Sequence, residues 1–129
     1  MLAVVIDDSS TMRRIVRSAV AALGFAVYEA SDGRDALDLL GQIPNVPDIC
    51  LVDWNMPNMN GLEFVRTVRK IEDFGSMWLM MVTTESEQSQ IVRALAAGAH
   101  EYLIKPFTQD GLQSKLAYLG LVPYPATVG

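Results

Sequence analysis

Short apolar runs alternate along the chain with longer stretches in which apolar residues recur every three or four positions. The runs LAVVI, FAVYEA, DICLVD, MWLMMV and EYLIK predict strands, and the amphipathic stretches between them predict helices. After Asp8, the residues Met12, Ile15, Val16, Ala19, Val20 and Leu23 fall on one helical face, with Ser9 or Ser10 as N-cap and Gly24 as the stop. SDGRDALDLLG predicts a short helix with Leu37 and Leu40 inward and Gly41 as terminator, and the two prolines of QIPNVP make a loop. A third helix opens at Gly61 and turns Leu62, Val65, Val68 and Ile71 to the sheet. The fourth is capped by Ser86, buries Ile91, Ala94 and Leu95 and ends at Gly98. Pro106 breaks the fifth strand, and Thr108 caps a last helix carrying Leu112, Leu116 and Leu119. The tail VPYPATVG has no pattern and reads as frayed coil, which sets a domain over 1–120 and a C-terminal tail over 121–129.

Five such β/α units predict an α/β fold, a doubly wound five-stranded parallel sheet, because right-handed crossovers put helices on both faces. ICLV is apolar throughout, as a central strand covered on both sides must be. This grammar leaves the strand order open. At 129 residues the chain makes one domain, so any output is expected from the domain's own surface. Its net charge of −5 and lack of a basic run argue against direct DNA binding, which needs clustered cations. The single cysteine, Cys50, sits in an apolar run and is expected to be a buried small hydrophobe. The first residues carry no basic segment, and no apolar stretch nears the roughly 18 residues of a membrane span, so a cytoplasmic protein with no membrane association is expected.

Chemistry concentrates where the apolar runs end. LAVVI leads into Asp7-Asp8, ICLV into Asp53, LMMV into Thr83 and YLI into Lys105. In an open α/β sheet ligands bind at the carboxyl ends of the strands, so these groups are expected to share one edge. Neighbouring carboxylates repel by about 4 kcal/mol per close pair at an effective dielectric near 20, and a cation is needed to offset that. An all-oxygen donor set without histidine or thiolate suits a partly hydrated Mg²⁺. Asp53, from the middle strand, is placed to act as a nucleophile toward phosphorus, with Lys105 and Thr83 holding the developing charge. Singly, each of these residues fits a cap or a solvated loop position; their coincidence at strand ends is what carries the reading. A Mg²⁺-dependent phosphohydrolase working through an aspartyl phosphate is the rival. It needs a second acid/base carboxylate, and the residue two beyond Asp53 is Asn55, whose amide is no general base. A nucleotide or flavin binder lacks its Gly-rich loop after the first strand.

Asp7-Asp8, DWNMPNMNG, VTTES and YLIKPF together resemble the receiver domain of two-component response regulators, and SSTMRRIVR with DWNMPN is similar to the stand-alone, CheY-like chemotaxis type. The resemblance implies a flavodoxin-like fold with strand order 2-1-3-4-5. It also implies a signalling switch rather than a turnover enzyme, phosphorylated on Asp53 by a histidine kinase or phosphotransfer protein. Mg²⁺ would be held by Asp8, Asp53 and the backbone carbonyl of Asn55, with Asp7 acting through water, and Lys105-Pro106 would be cis. Thr83 and Tyr102 would form the switch that reshapes the surface of the fourth helix, fifth strand and fifth helix for a downstream protein target. Asn55, Thr84 and Glu85 would tune access to the phosphoryl group, and the chain would act as a monomer. Two departures stand out. Thr84 replaces the smaller residue common in receivers, and Glu87-Gln88-Ser89-Gln90 stands where flagellar regulators carry lysines, so an acidic motor-derived peptide would be attracted less. A relay intermediate or phosphate sink therefore stays beside chemotaxis as an output. Trp54 is expected to gate and report on the site, His100 to lie on the surface, and Met56, Met59, Met77, Met80 and Met81 to serve strand-core and loop packing.

Overall fold

The computed structural model describes residues 1–126. The elements run β1 (Leu2–Ile6), α1 (Ser10–Ala21), β2 (Ala26–Ala30), α2 (Gly33–Gln42), β3 (Ile49–Val52), α3 (Gly61–Arg69), β4 (Trp78–Thr83), α4 (Gln88–Ala97), β5 (Glu101–Ile104) and α5 (Gln109–Tyr118), with a 3₁₀ turn at Glu72–Phe74. All neighbouring strands pair in parallel, in the order β2-β1-β3-β4-β5.

Side chains of a strand alternate between faces, and a sheet covered on both sides must be apolar on both. Val4, Ile6, Cys50, Val52, Leu79 and Met81 pack with Leu40, Leu62, Phe64, Val65, Val68 and Ala94, from α2, α3 and α4. Ala3, Val5, Ile49, Leu51, Met80 and Val82 face the other way, onto Val16 and Val20 of α1 and Leu112 and Leu116 of α5. Met77, Met80 and Met81 are fully buried, and Cys50 is buried with its thiol pushed up to about 12 by desolvation. The register then sets the functional edge. Ile6 pairs with Val52, so Asp7 and Asp53 leave adjacent strands at the same level. Thr83 pairs with Ile104, which puts Lys105 one step beyond it.

Several local expectations are corrected. Ile15 is 49% and Leu95 44% exposed, because the buried stripes centre on Val16 and Val20 and on Ala94, and a neighbouring residue is rotated by about 100°. Gly41 does not end α2. The helix continues to Gln42, and Ile43 turns extended at ψ 146° ahead of Pro44, which disfavours the helical conformation in the residue before it. The N-cap of α4 is Glu87 without a side-chain bond, so Ser86 is not the cap. Ile71 falls beyond α3, while Phe64 is fully buried. The tail starts docked: Leu121 N–H donates to the Leu116 carbonyl, and Leu121 and Val122 pack against the α1/α5 side of the core. Residues 127–129 of the predicted coil lie outside the described residues. Among the described residues no helix is long and apolar enough to cross a membrane.

His100 is exposed, as expected, yet its ring is committed. Nδ1 accepts the Leu79 N–H at 3.1 Å, and the ring meets Trp78 edge-on at 4.7 Å. Partial desolvation, and secondarily the Arg69 charge, hold its pKa below 6.5. The folded state therefore binds fewer protons than the unfolded chain, so this contribution to stability is present above pH 6.5 and is lost as pH falls below it. The unfolding free energy is expected to drop between pH 7.5 and 5.5 in denaturant titrations. His100→Asn, which keeps an acceptor but does not titrate, should flatten that slope.

Candidate functional site

Each group at the edge is fixed by the backbone of its own turn. Asp7 N–H donates to the Ala30 carbonyl at 3.1 Å, which seats the β1–α1 turn on β2. Its Oδ1 accepts the Ser9 N–H at 2.9 Å, and Ser9 in turn caps α1 by accepting the Met12 N–H at 3.2 Å. Asp53 N–H donates to the Ile6 carbonyl at 2.9 Å, and its Oδ1 accepts the Trp54 N–H at 2.8 Å. The loop after Asp53 closes on itself through Gly61 N–H to the Trp54 carbonyl at 2.8 Å. A Cβ at Gly61 would overlap the Asp53 carbonyl, so only glycine lets α3 start this close beneath the site.

Lys105 connects the two carboxylates. Its ammonium donates to Asp7 Oδ2 at 2.6 Å and lies 3.8 Å from Asp53 Oδ2. Asp7 is 2% and Lys105 7% exposed, so this pair is almost wholly desolvated. Lys105 N–H donates to the Thr83 carbonyl at 2.9 Å, and the peptide to Pro106 is cis. Thr83 is fully buried at the end of β4, with its hydroxyl accepting the Glu85 N–H at 3.3 Å. Asp8 is exposed at the mouth, and one oxygen from each of Asp7, Asp8 and Asp53 lies within 4.8 Å of the others.

Burial raises the pKa of Asp53; the Thr83 hydroxyl and then the Lys105 charge pull it down, and the Asp7 charge raises it again. One lysine thus faces three carboxylates, and the cluster is left anionic. Its oxygen-only donors fit a hard divalent cation such as Mg²⁺, for which Asp8 and Asp53 are the accessible ligands and Asp7 is engaged by Lys105.

Tyr102 is buried at 6% exposure, with its hydroxyl donating to the Glu85 carbonyl at 2.7 Å. Desolvation, with Glu85 and Asp53 behind it, pushes its phenol up to about 12. Tyr102, Glu85 and Thr83 thus form one connected line behind the carboxylates. Thr84 and Asn55 are exposed on the rim. Trp54 is not a gate: the residue is 6% exposed and belongs to the core, with the Arg93 guanidinium 6.0 Å from its ring centroid. Sequence reasoning missed Arg13, whose Nη1 donates to the Asp7 carbonyl at 2.8 Å while Nε pairs with Glu29 at 3.2 Å. Helical position alone marks Arg13 as a solvated charge, and only the β1–β2 pairing brings Glu29 beside it.

Removing one partner of a buried pair strands the other charge. Lys105→Met is expected to destabilise the metal-free chain by about 3 kcal/mol, read from its denaturant midpoint. A midpoint equal to that of the native chain would mean that Asp7 does not depend on the ammonium.

A family model described as the response regulator receiver domain matches residues 3–117. A chemotaxis protein CheY homolog of Campylobacter jejuni subsp. jejuni is 45% identical over 117 residues, 90% of this chain and 89% of that protein. Chemotaxis protein CheY1 of Helicobacter pylori is 41% identical over 117 residues, covering 90% and 94%. Among solved structures, the chemotaxis response regulator CheY4 of Vibrio cholerae superposes with a TM-score of 0.83 at 32% identity, over 92% of this chain and 97% of that one.

Proposed function

This chain belongs to the response regulator receiver family, of the CheY-like type, and on that footing we propose that it is a stand-alone signalling switch phosphorylated on Asp53. The family accounts for phosphorelay signalling and a chemotaxis role. The observation that carries the assignment of Asp53 is the buried Lys105 ammonium, 2.6 Å from Asp7 and 3.8 Å from Asp53.

In this reading an Asp53 oxygen attacks the phosphorus of a phosphohistidine on a kinase or phosphotransfer protein. The P–N bond breaks, its electron pair stays on the imidazole nitrogen, and an acyl phosphate forms. Lys105 holds a transferring oxygen by a charge-assisted hydrogen bond, and the Thr83 hydroxyl turns to donate to another. Asp8, Asp53 and the Asn55 carbonyl would hold Mg²⁺, with Asp7 acting through water. When bound, the ion supplies the positive charge that three carboxylates and an incoming phosphoryl group require. No carboxylate stands at position 55 to activate water, which favours a persisting phosphoryl group over turnover.

Readout runs from Thr83 through Glu85 and Tyr102 to the surface formed by α4, β5 and α5. Val92, Leu95, Ile104 and Tyr118 are exposed on these elements, a fit to a protein target. Shifting such a switch from 1:99 to 99:1 takes about 5.5 kcal/mol of differential interaction, within reach of a doubly charged group gaining several hydrogen bonds. Glu87 to Gln90 put no positive charge at the start of α4, so a strongly acidic peptide is a poor fit there.

Incubation with a small acyl-phosphate donor is expected to give stoichiometric, Mg²⁺-dependent phosphorylation that Asp53→Asn abolishes. Steady multiple-turnover hydrolysis of the donor would instead favour a phosphohydrolase. Thr84→Ala is expected to change the rates of phosphorylation and phosphoryl loss by opening the rim; identical rates would remove Thr84 as a determinant of access.

A further inference from the structure

The segment from Asp53 to Asn60 forms the rim of the carboxylate site yet contains no helix or strand. Such loops ordinarily belong to the least stable parts of a domain. The tip of this one is fastened twice to the turn between β2 and α2. Asn58 Nδ2 donates to Asp32 Oδ2 at 2.8 Å, and Gly33 N–H donates to the Met59 carbonyl at 3.1 Å.

Asp32 is 7% exposed and uses both of its oxygens, because Oδ1 accepts the Asp35 N–H at 2.8 Å as the N-cap of α2. The Asp35 N–H and then the Asn58 amide hold its pKa below the ordinary carboxylate value, so Asn58 meets a charged acceptor at neutral pH. Bonds of that kind are stronger than neutral ones. Asn58 itself has φ +66°, a left-handed conformation that asparagine tolerates better than most residues. Gly33 is equally constrained, since a Cβ there would sit 2.9 Å from the Met59 carbonyl oxygen. The other end of the loop is closed by the Gly61–Trp54 bond. Asn55 and Met56 therefore lie in a short span between two fixed points.

We infer that Asn58 is a positioning residue for the phosphoryl site: its bond to Asp32 holds the loop so that Asp53 and the Asn55 carbonyl face the cation and phosphoryl group in place. The inference rests on the use of Asp53 and Mg²⁺ proposed above. A loop that orders only on binding loses affinity to that ordering, and one already latched does not.

The test uses the whole chain. Mg²⁺ alone is titrated by calorimetry, phosphorylation by acetyl phosphate is followed at sub-saturating Mg²⁺, and denaturant midpoints are taken in parallel. Asn58→Gly allows the left-handed backbone and keeps the net charge while deleting the side-chain bond and adding backbone freedom, which the exchange below leaves unchanged. Asp32→Ser keeps a cap for α2 but not the reach to Asn58. The exchange Asp32→Asn with Asn58→Asp restores a donor facing a carboxylate with the polarity reversed and the net charge unchanged. Asn58→Gly and Asp32→Ser are each expected to weaken Mg²⁺ binding about tenfold and to slow phosphorylation, and the exchange to recover both. Native Mg²⁺ affinity in Asn58→Gly, with or without a loss of stability, would overturn the positioning role, as would an exchange that recovers stability but not affinity. A native chain that neither binds Mg²⁺ nor becomes phosphorylated would instead contradict the assignment of Asp53.

Discussion

The buried ion pair between Lys105 and Asp7 is the constraint on which the site depends. A carboxylate and an ammonium this far from water each cost several kcal/mol to desolvate, and their attraction repays that only in good geometry with the remaining valences satisfied. The chain meets the condition by occupying both Asp7 oxygens and by setting Lys105 just past a strand paired in register with Thr83. The pair then sits 3.8 Å from Asp53 and leaves the cluster with more negative charge than one lysine neutralises. That deficit suits the edge to a cation, and the ammonium gives it a fixed positive group.

The sheet makes this arrangement possible. Parallel pairing in the order β2-β1-β3-β4-β5 brings four strand ends to one edge, where β1 and β3 contribute carboxylates, β4 a hydroxyl and β5 an ammonium. The helices cover the apolar faces and confine polar chemistry to the edge. Glycine is needed where α3 begins, because the backbone of Asp53 lies against it. On the far side, Tyr102 and the Glu85 carbonyl continue the line from Thr83 toward α4 and β5 through a contiguous run of hydrogen bonds.

Much of this was legible in the sequence for identifiable reasons. Periodicity separates strands from helices wherever burial is one-sided, and polar residues ending apolar runs mark a sheet edge before any pairing is known. The strand order came from family resemblance and not from the pattern. Errors gathered where a single rotation or a neighbouring residue decides the outcome. Ile15 and Leu95 lie one position off their buried stripes, and Pro44, not Gly41, ends α2. Trp54 was misjudged because its proximity to Asp53 in sequence says nothing of the core beneath the loop. Arg13, Asp32 and Asn58 were silent because the pairs Arg13–Glu29 and Asp32–Asn58 join residues distant in sequence that only the fold brings together.

Chemical mapping tests whether Asp53, and not Asp7 or Asp8, accepts the proposed phosphoryl group. The chain is phosphorylated with a small donor in the presence of Mg²⁺, the acyl phosphate is trapped by borohydride reduction, and the modified position is read by peptide mass spectrometry. Reduction at position 53 alone, dependent on both donor and Mg²⁺, is the expected result. Modification at Asp7 or Asp8, or a chain left unmodified under these conditions, would contradict it.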